Sequence, residues 1–174
     1  MTKVYLVKPG IEYKEEYLNM IEEWKSTGEE FTPWVLSFDA SDFSALIKKL
    51  EKMSVGEGLE PEFVENSTYW LADDKKRILG AVNIRHRLNE DLLDRGGHIG
   101  YGIRPSERKK GYASELLRQA LIIVKEMGMK RVLLTCDKEN KGSAKTIVKN
   151  KGILESEGVY KGIAFQRYWI DLDN

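Results

Sequence analysis

The spacing of apolar residues changes several times along the chain, and each change marks an element. Val4 to Val7 is a short β-forming run closed by Pro9-Gly10, which predicts a first strand. Tyr13, Tyr17, Met20, Ile21 and Trp24 then recur at helical spacing, and Thr27-Gly28 ends that helix. Phe31 to Phe38 is aromatic without a period. It reads either as a loop packed on the core or as the wall of a substrate pocket. Asp39 and Ser41 are candidate caps for a second helix with Phe43, Leu46, Ile47 and Leu50 on one face.

After a turn-rich connector, "SVGEGLEPE", Thr68–Ala72 and Ile78–Ile84 flank "DDKKR" as a predicted hairpin. A polar excursion, "RLNEDLLDRGG", leads to a strand from His98 to Ile103. Ala113, Leu116, Leu117, Ala120, Leu121 and Val124 form the stripe of a long amphipathic helix closed by Gly128. Arg131 to Cys136 is a continuous apolar run, as expected of a buried and possibly parallel strand. Ser143–Lys149 predicts a short helix. Val159–Ile163 and Phe165–Leu172 predict a last strand pair. This order is mixed α/β, of α+β type, in one domain spanning residues 1–174.

Composition narrows the function. Lys plus Arg and Asp plus Glu number 28 each, so the net charge is zero, which argues against a nucleic-acid binder. The single cysteine, Cys136, excludes an intrachain disulfide and a cysteine metal cluster. With only His86 and His98, no metal site is expected. No signal peptide and no apolar stretch of roughly 20 residues is visible. The chain is expected to be cytoplasmic and free of the membrane.

The chemistry concentrates at "RPSERKKGYASELL", Arg104 to Leu117. A helix N-terminus presents unpaired N–H groups and the positive end of its dipole. A loop feeding into it can wrap an anion, Gly111 lets the backbone approach the ligand, and Arg108, Lys109 and Lys110 add charge. Neither GxxxxGK[ST] nor GxGxxG is present, so this is not a P-loop or a Rossmann fingerprint.

Arg108-Lys109-Lys110-Gly111-Tyr112-Ala113 matches the [RQ]-x-x-G-x-[GA] signature and resembles the GNAT acetyltransferases. "HIGYGIRP" is similar to that family's central strand, and "DKENKGSAKTIVKNKGI" resembles its N-x-x-S segment, with Asn140 and Ser143 in the motif positions. The resemblance covers Gly97 to Ile153 and otherwise follows element order. It implies a mixed, mostly antiparallel central sheet with helices on both faces. It implies that the amides of Arg108 to Ala113 hold the pyrophosphate of acetyl-CoA, with Asn140 and Ser143 facing the CoA arm. It also implies that a backbone amide around Gly102 or Ile103 receives the carbonyl oxygen. Asn140 and Ser143 also suit simple helix capping. Such folds commonly dimerise, which leaves a homodimer open.

The implied reaction is transfer of acetyl from CoA, a co-substrate, to an amine by direct attack. An alkyl amine with a pKa near ~10.4 must shed a proton first, and the CoA thiolate leaves better if an acid protonates it. Many relatives carry a tyrosine acid in the helix after the Asn. Here Thr146, Ile147 and Val148 stand there, so the acid role falls to Tyr101, Tyr160 or Tyr168. His98 is the base candidate by chemistry, against a structural histidine at a strand start. The Glu that some relatives place on this strand falls at or next to Gly97. Cys136 reads as a small core residue rather than a nucleophile. "EEWKSTGEEFTPW" and "NEDLLDRGG" are expected to border the acceptor cleft, their acidic residues suiting a cationic amine. The expected function is N-acetylation of a small molecule or peptide. The alternatives are a non-catalytic acyl-CoA-binding or regulatory module and a binder of another nucleotide.

Overall fold

The computed structural model describes residues 2–173. Two antiparallel sheets carry the chain. The first has the order β1 (Val4–Val7), β2 (Asn66–Asp73), β3 (Ile78–Arg85), β4 (Ile99–Ile103). The second has the order β5 (Arg131–Asp137), β7 (Ile163–Asp171), β6 (Ile153–Tyr160). Helices α1 (Lys14–Ser26) and α2 (Phe43–Ser54) cover one face of the first sheet. Helix α4 (Tyr112–Glu126), with α5 (Lys141–Lys149) beside it, covers the other.

Each face has its own core. Tyr17, Met20 and Trp24 of α1 pack with Phe43, Leu46 and Leu50 of α2 against Trp70 and Ala81. Leu116, Leu117, Ala120 and Val124 of α4 pack against Val82, Ile84, Leu134 and Ile170. The helical stripe read from the sequence is therefore the buried face of α4, and it joins the two sheets.

Several expectations are corrected. The cap of α2 is Asp42, whose Oδ1 accepts from the Ala45 N–H at 3.0 Å; Asp39 instead folds back on the Ser41 N–H at 2.9 Å, one turn too early. The polar excursion holds a short helix, α3 (Glu90–Asp94), capped by Asn89. The final pair is β6 and β7 with Lys161-Gly162 at the turn, both at positive φ, so Val159–Ile163 is not one strand. Strand β6 is mostly solvent-exposed, and an exposed strand leaves no apolar alternation to read. Strand β5 is antiparallel to β7.

The feature that positions the site is the parting of β4 from β5. Among the described residues the sheets are joined there by an isolated bridge, Gly97 to Leu134, and by the hydrogen bonds between His98 and Leu133. Gly97 has φ 67°, and a side chain on it would collide with the Leu133 carbonyl. Beyond this point the strands splay and a cleft opens.

Candidate active site

The cleft has a volume of about 610 Å³ and is built from four segments. The first is the turn from β4 into α4. Pro105 opens a single 3-10 turn, after which Lys109 (φ 62°) and Gly111 (φ 87°) adopt left-handed backbone. Alternating handedness of this kind turns successive N–H groups inward. Gly111 is the N-cap of α4 and supplies no side chain, so the first-turn N–H groups of Tyr112, Ala113 and Ser114 have no side-chain cap. All four residues line the cleft with Arg108 and Lys109. Uncapped donors, a positive dipole end and formal cations make a cradle that fits a pyrophosphate.

Lys110 is the exception in this motif. Its Nζ donates to Glu107 Oε2 at 3.0 Å, and it does not line the cleft. Arg108 lines it but is largely engaged. Its Nε donates to the Ile103 carbonyl at 3.1 Å, and its terminal nitrogens reach both Glu29 carboxylate oxygens at 3.1 and 2.8 Å. The guanidinium also lies 5.3 Å from the Trp24 ring. Arg108 thus ties the α1–α2 loop to the cradle and neutralises Glu29. That hydrogen-bonded pairing holds the Glu29 carboxyl below its ordinary range.

The second segment is the start of α5. Asn140 Oδ1 accepts from the Ser143 N–H at 3.1 Å, so Asn140 caps the helix while lining the cleft. The third is β4. The Tyr101 hydroxyl and Ser143 Oγ are 2.9 Å apart, linking β4 to α5 across the opening. Burial pushes the Tyr101 hydroxyl up to about 12, so it keeps its proton at neutral pH. Gly102 and Ile103 complete this wall. The fourth is the α1–α2 segment, with Trp24, Glu29, Glu30 and Thr32 on the cleft.

Other candidates lie elsewhere. His98 is buried and outside the cleft; its Nδ1 accepts from the Leu133 N–H at 2.9 Å. Burial and the Arg85 charge lower its pKa to about 4. The Tyr168 hydroxyl donates to Gln166 Oε1 at 2.8 Å, also outside the cleft. Tyr160 is exposed at the β6–β7 turn, and burial pushes the Cys136 thiol up, away from a reactive thiolate. "NEDLLDRGG" borders a different cavity, through Asn89, Asp91 and Leu92. Sequence reasoning missed Glu107, Ser114, Gly142 and Thr146 on the cleft. Ser114 and Gly142 adjoin the two motifs, so reading one residue further along each helix start would have found them.

Comparison with known proteins identifies the fold and the family. No functionally curated protein matches the chain. Among solved structures, the microcin C7 self-immunity acetyltransferase MccE, in complex with acetyl-CoA and AMP, superimposes with a TM-score of 0.68 at 18% identity, covering 97% of this chain and 92% of that one. A chimera of the spermidine N-acetyltransferase SpeG from Vibrio cholerae and hSSAT gives 0.67 at 14% identity, covering 99% and 97%. A GNAT-family acetyltransferase from Streptococcus pneumoniae gives 0.66 at 15%, covering 97% and 99%. At these identities the likeness establishes the fold. The model of the acetyltransferase (GNAT) domain matches residues 4–152, and with that match over most of its length the chain belongs to the GNAT acetyltransferase family.

Proposed function

We propose that the protein is an acetyl-CoA-dependent N-acetyltransferase that moves the acetyl group to an amine by direct attack. The observation that carries this is the meeting, in one cleft, of the uncapped N-terminus of α4 and the Tyr101–Ser143 pair. The Arg108-to-Ala113 loop holds the pyrophosphate through its backbone N–H groups, with Lys109 adding charge and Lys110 contributing only long-range field. Asn140 and Ser143 face the CoA arm, and the Gly102–Ile103 backbone lies where the acetyl carbonyl oxygen takes its hydrogen bond.

The amine nitrogen forms a bond to the acetyl carbon, the carbon–sulfur bond breaks, the sulfur takes the Tyr101 proton, and the tyrosinate regains a proton from the solvent that receives the amine's. Tyr101 fits this role because it lines the cleft and is protonated at neutral pH. Tyr168 and His98 do not reach the cleft, so neither carries proton transfer in this reading. Among the cleft carboxylates of the described residues, Glu29 and Glu107 are ion-paired and Glu30 makes no ion pair. The amine proton therefore leaves toward Glu30 through solvent.

Calorimetry with acetyl-CoA tests the reading, comparing the native chain with Gly111→Glu, followed by turnover against an amine panel. Binding by the native chain, its loss in a folded Gly111→Glu variant, and CoA release with an amine are expected. No binding by the native chain, or equal binding by both, overturns it. Binding without turnover of any amine would favour a silent acyl-CoA module.

A further inference from the structure

The two faces of β4 differ where it borders the cleft. Tyr101 lies on the α4/α5 side, where it packs against the α4 core and its hydroxyl meets Ser143. Gly102, the next residue, faces the α1/α2 side, since side chains alternate along a strand. The backbone alternates as well. Gly102 is aligned with Ala81 of β3, and two residues on, the Arg104 N–H donates to the Leu79 carbonyl at 2.8 Å. Every second residue of an antiparallel pair makes such bonds, so the Gly102 N–H bonds β3 and the Ile103 N–H turns toward the parting from β5.

On the Gly102 face the cleft ends in a wall made by Trp24 and Thr32, both of which line it. A side-chain carbon built on Gly102 would lie 2.7 Å from Trp24 Cη2 and run into the Thr32 carbonyl, so the gap does not admit one methyl group. The wall is braced from behind. Trp24 is buried, and its Nε1 donates to the Glu30 carbonyl at 3.2 Å. Its ring packs with Phe31 at 6.0 Å and with the Arg108 guanidinium at 5.3 Å. The segment that carries Thr32 is pinned to the cofactor loop, because Arg108 grips both Glu29 carboxylate oxygens. Neither part of the wall retreats without breaking these contacts.

We propose that Trp24, backed by the Thr32 carbonyl, sets the length of the acyl group that the protein transfers and holds it to the two carbons of acetyl. The proposal rests on the acetyl-transfer reading above. In that reading the sulfur lies by the Tyr101 hydroxyl on the α5 side, and the acyl oxygen takes its hydrogen bond from the Ile103 N–H. The carbon chain leaves the thioester carbon on the side away from the sulfur, which is the side of Gly102 and the wall. An acetyl methyl ends short of the indole, whereas the third and fourth carbons of a butyryl chain run into it. The amine attacks at right angles to the thioester plane, so the wall limits the acyl group and not the nucleophile.

The test is calorimetry on the full chain with acetyl-CoA, propionyl-CoA and butyryl-CoA, comparing the native chain with Trp24→Phe. This variant keeps an aromatic ring in the α1/α2 core and removes the part of the indole that reaches Gly102. The native chain is expected to bind butyryl-CoA about tenfold or more weakly than acetyl-CoA, with propionyl-CoA between them, the discrimination that one or two methylenes give in a closed pocket. Trp24→Phe should narrow that ratio several-fold while acetyl-CoA binding stays near native. Equal binding of acetyl-CoA and butyryl-CoA by the native chain, or a ratio that Trp24→Phe leaves unchanged, overturns the proposal and leaves the transfer reading standing. Failure of the native chain to bind any of the three overturns both. If Trp24→Phe does not fold, Glu29→Ala takes its place: it frees the Thr32 segment from Arg108 without touching the indole, and an unchanged ratio overturns the proposal in the same way.

Discussion

The His98 ring accepts from the Leu133 N–H at 2.9 Å while the His98 N–H donates to the Leu133 carbonyl at 2.8 Å. One residue thus ties β4 to β5 just below the point where the strands part. An accepting Nδ1 requires the neutral ring with its proton on Nε2. Protonation would break the tie, and burial with the nearby Arg85 charge lowers the pKa to about 4.

A pH dependence follows. The unfolded histidine, near 6.5, binds its proton before the folded one does, so stability is full above about 6.5 and falls as pH drops toward 4. The loss is of the order of 3 kcal/mol. Urea midpoints measured between pH 7 and 4 should show this slope, and His98→Gln, which cannot titrate, should flatten it. The same variant should retain turnover within about tenfold, because removing a true general base costs about 10² or more. A larger loss with acetyl-CoA affinity kept would restore His98 to the chemistry.

Tyr101 is expected to behave in the opposite way. Tyr101→Phe keeps the ring that packs on the α4 core and removes only the hydroxyl beside Ser143. Acetyl-CoA affinity should stay near native while kcat falls about 10²-fold or more, the range for a lost general acid. Tyr168→Phe, whose hydroxyl bonds Gln166 outside the cleft, should leave kcat near native. Equal kinetics in the native chain and Tyr101→Phe would move the acid elsewhere.

Gly102 carries a packing prediction. A side-chain carbon there would meet the Trp24 ring at 2.7 Å and run into the Thr32 carbonyl. Neither can give way freely, because Trp24 is buried and its Nε1 donates to the Glu30 carbonyl at 3.2 Å. Gly102→Ala should cost about 1–3 kcal/mol, as overpacking does, and lower the thermal midpoint by several degrees. Because the displaced segment borders the cleft, acetyl-CoA affinity should fall as well, which calorimetry would read.

What the sequence showed and hid follows from these contacts. The cradle was legible because its requirements are local: a glycine at positive φ, a helix stripe starting directly after it, and cations beside it. Asn140 was legible for the same reason, since a cap acts within three residues. The roles of His98 and Tyr168 were not, because both depend on partners in the other strand or beyond the cleft: Leu133 lies 35 residues from His98. The Asn66–Asn83 chain, spanning 17 residues, and the bond from Arg85 to the Gly96 carbonyl gave no sequence signal, since each residue reads as an ordinary polar residue in a hairpin. Edge strand β6 was misplaced because its exposure removed the alternation that marks a strand.

The remaining prediction concerns the joint that holds α1 under the cradle. Arg104 is 5% exposed, donates to Glu23 Oε2 at 2.6 Å, to Glu16 Oε2 at 3.1 Å and to the Ile78 carbonyl at 3.2 Å. Glu23 Oε1 accepts in turn from the Ser106 N–H at 2.7 Å, at the entry of the cofactor loop. Burial works against the Glu23 charge, yet the bonds from Ser106 and Arg104 outweigh it and hold its pKa at about 2. This depressed value gives stability that is full above about 4.5 and is lost as pH falls toward 2, below the His98 window. Glu23→Gln should reduce the slope in that lower window, to which the lowered Glu29 and Glu107 carboxyls also contribute, and leave the upper one. Arg104→Leu should be harsher, about 3–5 kcal/mol, because it strands two carboxylates against a buried apolar group. A Glu23→Gln chain that still binds acetyl-CoA at native strength would show that the joint serves stability alone; weaker binding would show that it also sets the register of Ser106 and hence of the loop after it.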